Sequence, residues 1–321
     1  MPPSLAVGPP LSRATTLALS SGAGTFVSVP SSRQRARPGG SSSRKRARLA
    51  AAAVVVLVAV GVGYLALRSS PRAPVQPTGC VAGPGGQAVF LSPGQAGIAA
   101  TIAGVASARS MPARAVAIAY ATAWQESKLT NLDYGTLDSV GVFQQRPSEG
   151  WGTVRQIENP VYATGRFFQA LAQVPRYRHL PIAVAAQDVQ HSADGSAYGQ
   201  YAAAGTAMAQ AFTGVLPHAV WCSYGTPVGK ARLLAARRAL TSAFGSLAGT
   251  IAPDPSVRVA VISLQQGWAI AAWLVAHAAT YGIQTVRYQS YQWLAASSGR
   301  WRLVTGSHGH RPAASSAVVF G

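Results

Sequence analysis

Residues 121–132 read ATAWQESKLTNL, an alanine-rich run that meets a glutamate, a serine and then turn formers. The glutamate, Glu126, is one of only 8 acidic residues in a chain with 27 Lys plus Arg. All the acids lie between Glu126 and Asp254, so acid chemistry has to be sought in that segment. Pro112 and the alanines that follow predict a helix over 113–127, opened by a start signal at Ser110 and Pro112. Seven residues are nearly two helical turns, so Ala119 lies almost on the line of Glu126, with Ala115 on the same line further back. Glu126 therefore continues a stripe of small residues suited to close packing, and it sits near the end of its helix. Carboxyls held near the negative end of a helix and partly out of water favour the protonated form, from which a general acid donates. A solvated helix glutamate is the plainer alternative.

Outward from this stretch the chain is helical on both sides. Ser92 and Pro93 are expected to open an earlier helix, with Ile98, Ile102 and Val105 at helical spacing. Helices are also expected over 159–172, 180–190 and 200–212. After Cys222 the pattern changes. VRVAVISL (257–264) predicts a buried strand and GWAIAAWLVAHAATYGI (267–283) a helix, and three strand-like stretches follow to the C-terminus. The expectation is a mainly α domain over 92–222 and a small α+β domain over 223–321.

The 321 residues are 49% hydrophobic and only 11% charged. Residues 1–48 are rich in Ser, Pro, Arg and Gly and read as disordered. Leu49 to Leu67 is an uncharged apolar run that would span about 28 Å as a helix, close to the thickness of a bilayer core. With so long a segment before it and no clear cleavage site after it, it reads as a transmembrane helix rather than a signal peptide. Arg33, Arg35, Arg37, Arg44, Lys45, Arg46 and Arg48 crowd its N-terminal side, which places that side in the cytoplasm and the bulk of the chain outside. Residues 68–91 read as a Pro/Gly-rich stalk without regular structure.

The net charge of +19 suits anionic lipid or anionic wall polymers. Nucleic acid is not expected as a partner, because the basic cluster carries no interleaved aromatics. Cys80 and Cys222 are even in number and both fall on the predicted outer side, so a disulfide is expected, with two free buried thiols as the alternative.

The string ESKLTNLDYGTLDSVGVFQQRPSEGWGT (126–153), with ENPVYATGRFFQAL (158–171) and AAQDVQHSA (185–193), resembles the lysozyme-like domain of actinobacterial wall-associated proteins. These belong with the soluble lytic transglycosylases and goose-type lysozymes, whose Glu-Ser and Gly-x-x-Gln signatures match Glu126-Ser127 and Gly141-x-x-Gln144. The resemblance covers about residues 92–215 and implies cleavage of peptidoglycan glycan strands. It implies that Glu126 is the catalytic acid, with Ser127 orienting it. Gln144 and Gln145 would line the sugar groove, and Asp138 and Ser139 would brace their loop or border the groove; Trp151 and Tyr198 offer aromatic faces on which a sugar could stack, with burial in the core as the alternative. The family's Ala-Tyr-Asn-x-Gly element, whose tyrosine contacts the acid, has no counterpart here. Tyr198 and Gln187 are the candidates to stand in for it.

Glycosidases ordinarily need two carboxyls, and Asp133 and Asp138 are the nearest to Glu126, although loop capping explains both. The family chemistry implies instead one glutamate that acts as acid and then as base. The C-terminal QGWAIAAWLVAHAATYGIQTVRYQSYQWL (266–294) is similar to part of the D-alanyl-D-alanine carboxypeptidase-like domains, but it lacks their zinc-binding stretch. His277, His308 and His310 do not replace it, since no acid follows Asp254, so no metal or cofactor is expected. The leading expectation is a membrane-anchored glycan-strand-cleaving enzyme; the rival is a wall-binding or assembly module of the same fold with little catalysis.

Overall fold

Ser92 begins the helical part of the chain. Its side chain accepts from the Gln95 amide while the Gln95 side chain accepts from the Ser92 amide, a reciprocal cap that satisfies two donors a helix start leaves open. The computed structural model describes residues 58–61, 78–192, 195–225, 228–247, 249–251, 256–304 and 316–321. The chain divides into two units, residues 1–71 and 72–321. In the first, only one helical turn at 58–61 is described. The expected basic tail and nearly all of the expected membrane span therefore lie outside the described residues. Among the described residues no helix is long and apolar enough to cross a membrane.

In the second unit, helix α1 (Pro93–Ala108) is buried on most of its circumference by alanines, Ile102 and Val105. Small side chains let several neighbours approach it closely, and at Gly104 a Cβ would come within 2.9 Å of the Phe244 ring. Helix α2 (Ala113–Ser127) lies beside it and buries Ala115 through Ala123 without a break. Its start is set by Pro112, whose carbonyl accepts from the Ala115 amide at 2.9 Å. Ser110 is not the cap expected for it; it adopts a left-handed φ of 54° just after α1. Then come α3 (Val154–Ile157), α4 (Pro160–Gln173) capped by Asn159, α5 (Ile182–Gln190), a 3-10 stretch (Gly195–Tyr201) and α6 (Ala202–Phe212). Helix α6 crosses α2 at Gly205, where a Cβ would stand 2.8 Å from the Ala117 carbonyl oxygen.

The stretch expected to be an irregular stalk is ordered at its C-terminal end, which corrects that expectation. Strands β1 (Gly79–Ala82) and β2 (Val89–Leu91) form an antiparallel sheet with β3 (Val220–Ser223), in the order β2-β1-β3. The partner strand lies about 140 residues downstream, so no local pattern could disclose the pairing. Cys80 stands directly opposite Cys222, and the two are joined as a disulfide.

Helix α7 (Leu233–Phe244) follows and was not expected. Strands β4 (Gly249–Ile251), β5 (Val257–Ala260), β6 (Thr285–Tyr288), β7 (Tyr291–Leu294), β8 (Arg302–Leu303) and β9 (Ala317–Phe320) make an antiparallel sheet in the order β4-β5-β9-β6-β7-β8. Strand β5 stops at Ala260, because Ser263 caps α8 (Leu264–Ala276) by accepting from the Gln266 amide. The helix expected over 267–283 therefore starts earlier, breaks at His277 and finishes as α9 (Ala278–Tyr281) against Gly282 at φ 68°. Helix α8 covers one face of the sheet and also packs on α1. Trp293 and Trp301 donate their indole N–H to the carbonyls of Cys222 and Val220, which ties this sheet to β3. The unit is thus mixed α and β, with one continuous core.

Candidate active site

The end of α2 presents Glu126. Lys128 and Leu129 adopt left-handed φ values of 55° and 57° and return their amides to Trp124 and Ala123, closing the helix. Ser127 is buried. Its hydroxyl donates to the carbonyls of Val142 at 2.7 Å and Ala123 at 3.1 Å and accepts from the Thr130 amide at 3.2 Å. All these partners are backbone, so Ser127 fastens the helix end to the next loop and does not touch the carboxylate or face a ligand.

That loop, residues 140–145, is a tight reversal in which Val140 and Gln145 exchange both backbone hydrogen bonds at 3.1 Å. Gly141 takes φ 80°, and a Cβ there would press on the Ile157 carbonyl at 2.8 Å. The glycine of Gly141-x-x-Gln144 is therefore required by close approach as well as by φ. Phe143 stacks on Phe167 at 4.5 Å, leaving its carbonyl beside the end of α5.

Glu126 is half-buried, and two neutral donors converge on one of its oxygens. The Tyr198 hydroxyl donates to Oε1 at 2.6 Å, and the Gln190 Nε2 donates to the same atom at 3.1 Å. Gln190 Nε2 also donates to the Phe143 carbonyl at 2.8 Å, so the loop holds the residue that holds the acid. Among the described residues Oε2 has no hydrogen-bond partner, and no cation pairs with Glu126. A carboxyl fixed through one oxygen and open at the other can carry a proton on the open one and deliver it in a set direction. Gln190 Oε1 is buried and without a hydrogen-bond partner.

Tyr198 is only 1% exposed, so it is not a stacking platform as expected. Of the two expected candidates to meet the carboxylate, Tyr198 reaches it and Gln187 does not; among the described residues the Gln187 side chain bonds Ser192. Trp151 is half-buried and lines a groove of about 1090 Å³ together with Arg166, Gln173, Asp188, Gln190 and His191. Glu126 is not part of that lining; Gln190 is the residue that groove and carboxylate share. Gln144 donates to the carbonyls of Tyr134 and Gly141 and so braces its own loop. Gln145 is 2% exposed and donates to the Ala163 carbonyl, which turns it inward, away from any ligand. Ser139 is buried in the same loop.

Asp138 accepts from the Ser148 amide and hydroxyl and from Arg146 Nε at 2.7 Å. The Ser148 amide, and then the Arg146 guanidinium, hold its carboxyl well below the usual carboxylate range. Arg146 also pairs with Glu149. Asp133 is exposed on the loop and makes no side-chain hydrogen bond among the described residues. Neither aspartate is hydrogen-bonded to the Glu126 cluster. Gln190 was missed by sequence reasoning. AAQDVQHSA offers two glutamines three apart, and only the helix end at His191, with its left-handed φ of 52°, shows which one meets the acid.

In the C-terminal part, His277 Nδ1 lies 2.9 Å from the Trp273 carbonyl, and its ring stacks on Trp273 at 3.9 Å. Burial pushes its pKa down to about 4, partly opposed by that carbonyl. His308 and His310 lie outside the described residues. No protein-family model matches the chain, and no curated protein matches it in sequence.

Proposed function

We propose that this chain is an extracytoplasmic enzyme that cleaves the glycan strand of peptidoglycan with Glu126 as its single acid, held at the cell membrane by one N-terminal span. The observation that carries this reading is the convergence of Tyr198 and Gln190 on Oε1, which leaves Oε2 without a partner among the described residues, while Gln190 also lines a groove large enough for sugar rings.

In this reading a proton on Oε2 passes to the glycosidic oxygen as the bond between that oxygen and the anomeric carbon breaks. Tyr198 and Gln190 stabilise the carboxylate that forms, because hydrogen bonds to an ionised acceptor are stronger than those to a neutral one. The carboxylate then withdraws a proton from the 6-hydroxyl of the same sugar, whose oxygen closes onto the anomeric carbon to give an anhydro end. A single-carboxylate route fits the neighbours: Asp138 is committed to Arg146 and Ser148, and Asp133 is not hydrogen-bonded to the cluster.

The test is incubation of the full chain, in neutral detergent, with isolated peptidoglycan, alongside Glu126→Gln, and mass spectrometry of the soluble products. Anhydro-muropeptides from wild type alone are expected. Reducing-end products would mean hydrolysis by water and reopen the role of a second carboxyl. Binding to the wall without release of products from either protein would replace the enzyme with a wall-binding module.

A further inference from the structure

The six-stranded sheet has one face on α8 and, among the described residues, no element over the other, and the register places three arginines in a line across that second face. Thr250 is opposite Arg258, Arg258 opposite Val319, and Val319 opposite Arg287; Arg287 is opposite Gln292, and Gln292 opposite Arg302. The row thus crosses all six strands with one residue from each. Of the residues flanking it along the strands, Val257, Val259, Val286, Val318, Phe320 and Trp293 are buried, Tyr291 and Trp301 are half-buried, and Leu303 beside Arg302 is exposed. Strand alternation then turns the row itself outward, and Arg258, Arg287 and Arg302 are all exposed.

Adjacent arginines in the row are two strands apart. At about 4.8 Å per strand this spaces the charges about 10 Å, with the neutral Val319 between the first pair and the neutral Gln292 between the second. Gln292 fixes the middle one: with its amide oxygen turned toward Arg287 it accepts from Nη2 at 3.2 Å and Nε at 3.1 Å. No ion pair involves any of the three among the described residues, and the only acid anywhere in 223–321 is Asp254. Like charges lined up on one sheet face repel one another, so the arrangement is matched to an anionic partner that neutralises all three.

The chemistry of the face narrows that partner. A guanidinium fork fits phosphate oxygens in pairs. The row carries no aromatic side chain on which a base would stack and no large apolar side chain to enter a bilayer. We propose that this face binds a linear phosphodiester polymer whose phosphates are joined by non-aromatic alcohols, laid across the strands along the row Arg258, Arg287, Arg302. The proposal does not require Glu126 to be catalytic, and its test leaves cleavage aside.

The test is site-resolved arginine modification of the full chain in neutral detergent. Phenylglyoxal labelling is followed by mass spectrometry with and without poly(glycerol phosphate). Slower labelling of Arg258, Arg287 and Arg302 by severalfold is expected, with Arg237 and Arg238 on α7 unchanged as internal references. A companion measurement follows the anisotropy of labelled polymer against wild type and the triple variant R258Q/R287Q/R302Q. With three phosphate contacts, binding at this face should weaken about tenfold or more between about 50 and 200 mM salt, and the triple variant should lose that component. The three side chains are exposed, so the variant keeps the wild-type thermal midpoint. Equal labelling with and without polymer overturns the site. Protection by phosphatidylglycerol vesicles or by a single-stranded oligonucleotide, without protection by the polymer at equal phosphate, overturns the ligand class.

Discussion

Replacing Tyr198 by Phe removes one hydroxyl and nothing else from the candidate site. The phenol is buried and donates to Glu126 Oε1 at 2.6 Å, and hydrogen bonds to an ionised carboxylate are stronger than those to a neutral carboxyl. Such bonds contribute about 1.5–3 kcal/mol, against about 0.5–1.5 kcal/mol between neutral partners. In the proposed mechanism the bond therefore strengthens by about 1–2 kcal/mol as Glu126 gives up its proton, a difference that would accelerate the chemical step. Tyr198→Phe should lower kcat by about 5–30-fold. KM should hold, since the hydroxyl faces the carboxylate and not the groove. The ring still fills its place, so the fold should lose about 1 kcal/mol or less. Gln190→Ala tests the second donor. Because both donors meet the same oxygen, the double variant should depart from additivity by at least about 0.5 kcal/mol. The assay is the rate of soluble muropeptide release, with urea unfolding as the control. A kcat within twofold of wild type for Tyr198→Phe would refute the idea that this hydroxyl backs the reacting carboxylate.

Gly205→Ala should destabilise the unit by about 1–3 kcal/mol in urea unfolding, because the added Cβ meets the α2 backbone at Ala117 and must push the helices apart. A stabilised variant would show that α6 shifts freely over α2. His277 gives an acid-side signature. Its folded pKa of about 4 lies below the ordinary 6.5, so between those values the unfolded chain binds the extra proton. Stability is then lost as pH falls from about 6.5 toward 4, by up to about 3 kcal/mol. The residue keeps some exposure, which makes that figure the upper end. His277→Gln should flatten this part of the curve between pH 7 and pH 4, and an unchanged slope would mean that the ring is not held neutral by burial.

Local chemistry was readable where one segment settles its own geometry. Ser92 with Pro93 and Gln95 marks a helix start within four residues, and Asn159 before Pro160 marks another; both cap their helices as their types require. The end of α2 at Glu126 follows from the turn formers behind it. What could not be read depends on partners far along the chain. Strand β1 looks like linker because its hydrogen bonds go to β3, beyond the whole helical region. Tyr198 carries an aromatic ring that suits a sugar face, and only the fold turns its hydroxyl onto a carboxylate 72 residues earlier. Helix α7, with three arginines among its first residues and flanks, lacks a capping side chain and gave no start signal. The arginine row needs the register of every strand in the sheet, which no spacing along the sequence encodes.

The Cys80–Cys222 link encloses Glu126, Tyr198 and Gln190 within a single covalent ring. That changes how the fold carries tension. Under the proposed function, a pull on the chain at residue 78, resisted by a glycan strand held in the groove, divides between two routes into the ring. One runs through β1 and α1 toward the tip of α2, and the other crosses the sulfurs and enters backward through β3 and α6. Each route bears part of the load. The carboxylate and its two donors are thus reached from both sides of the ring.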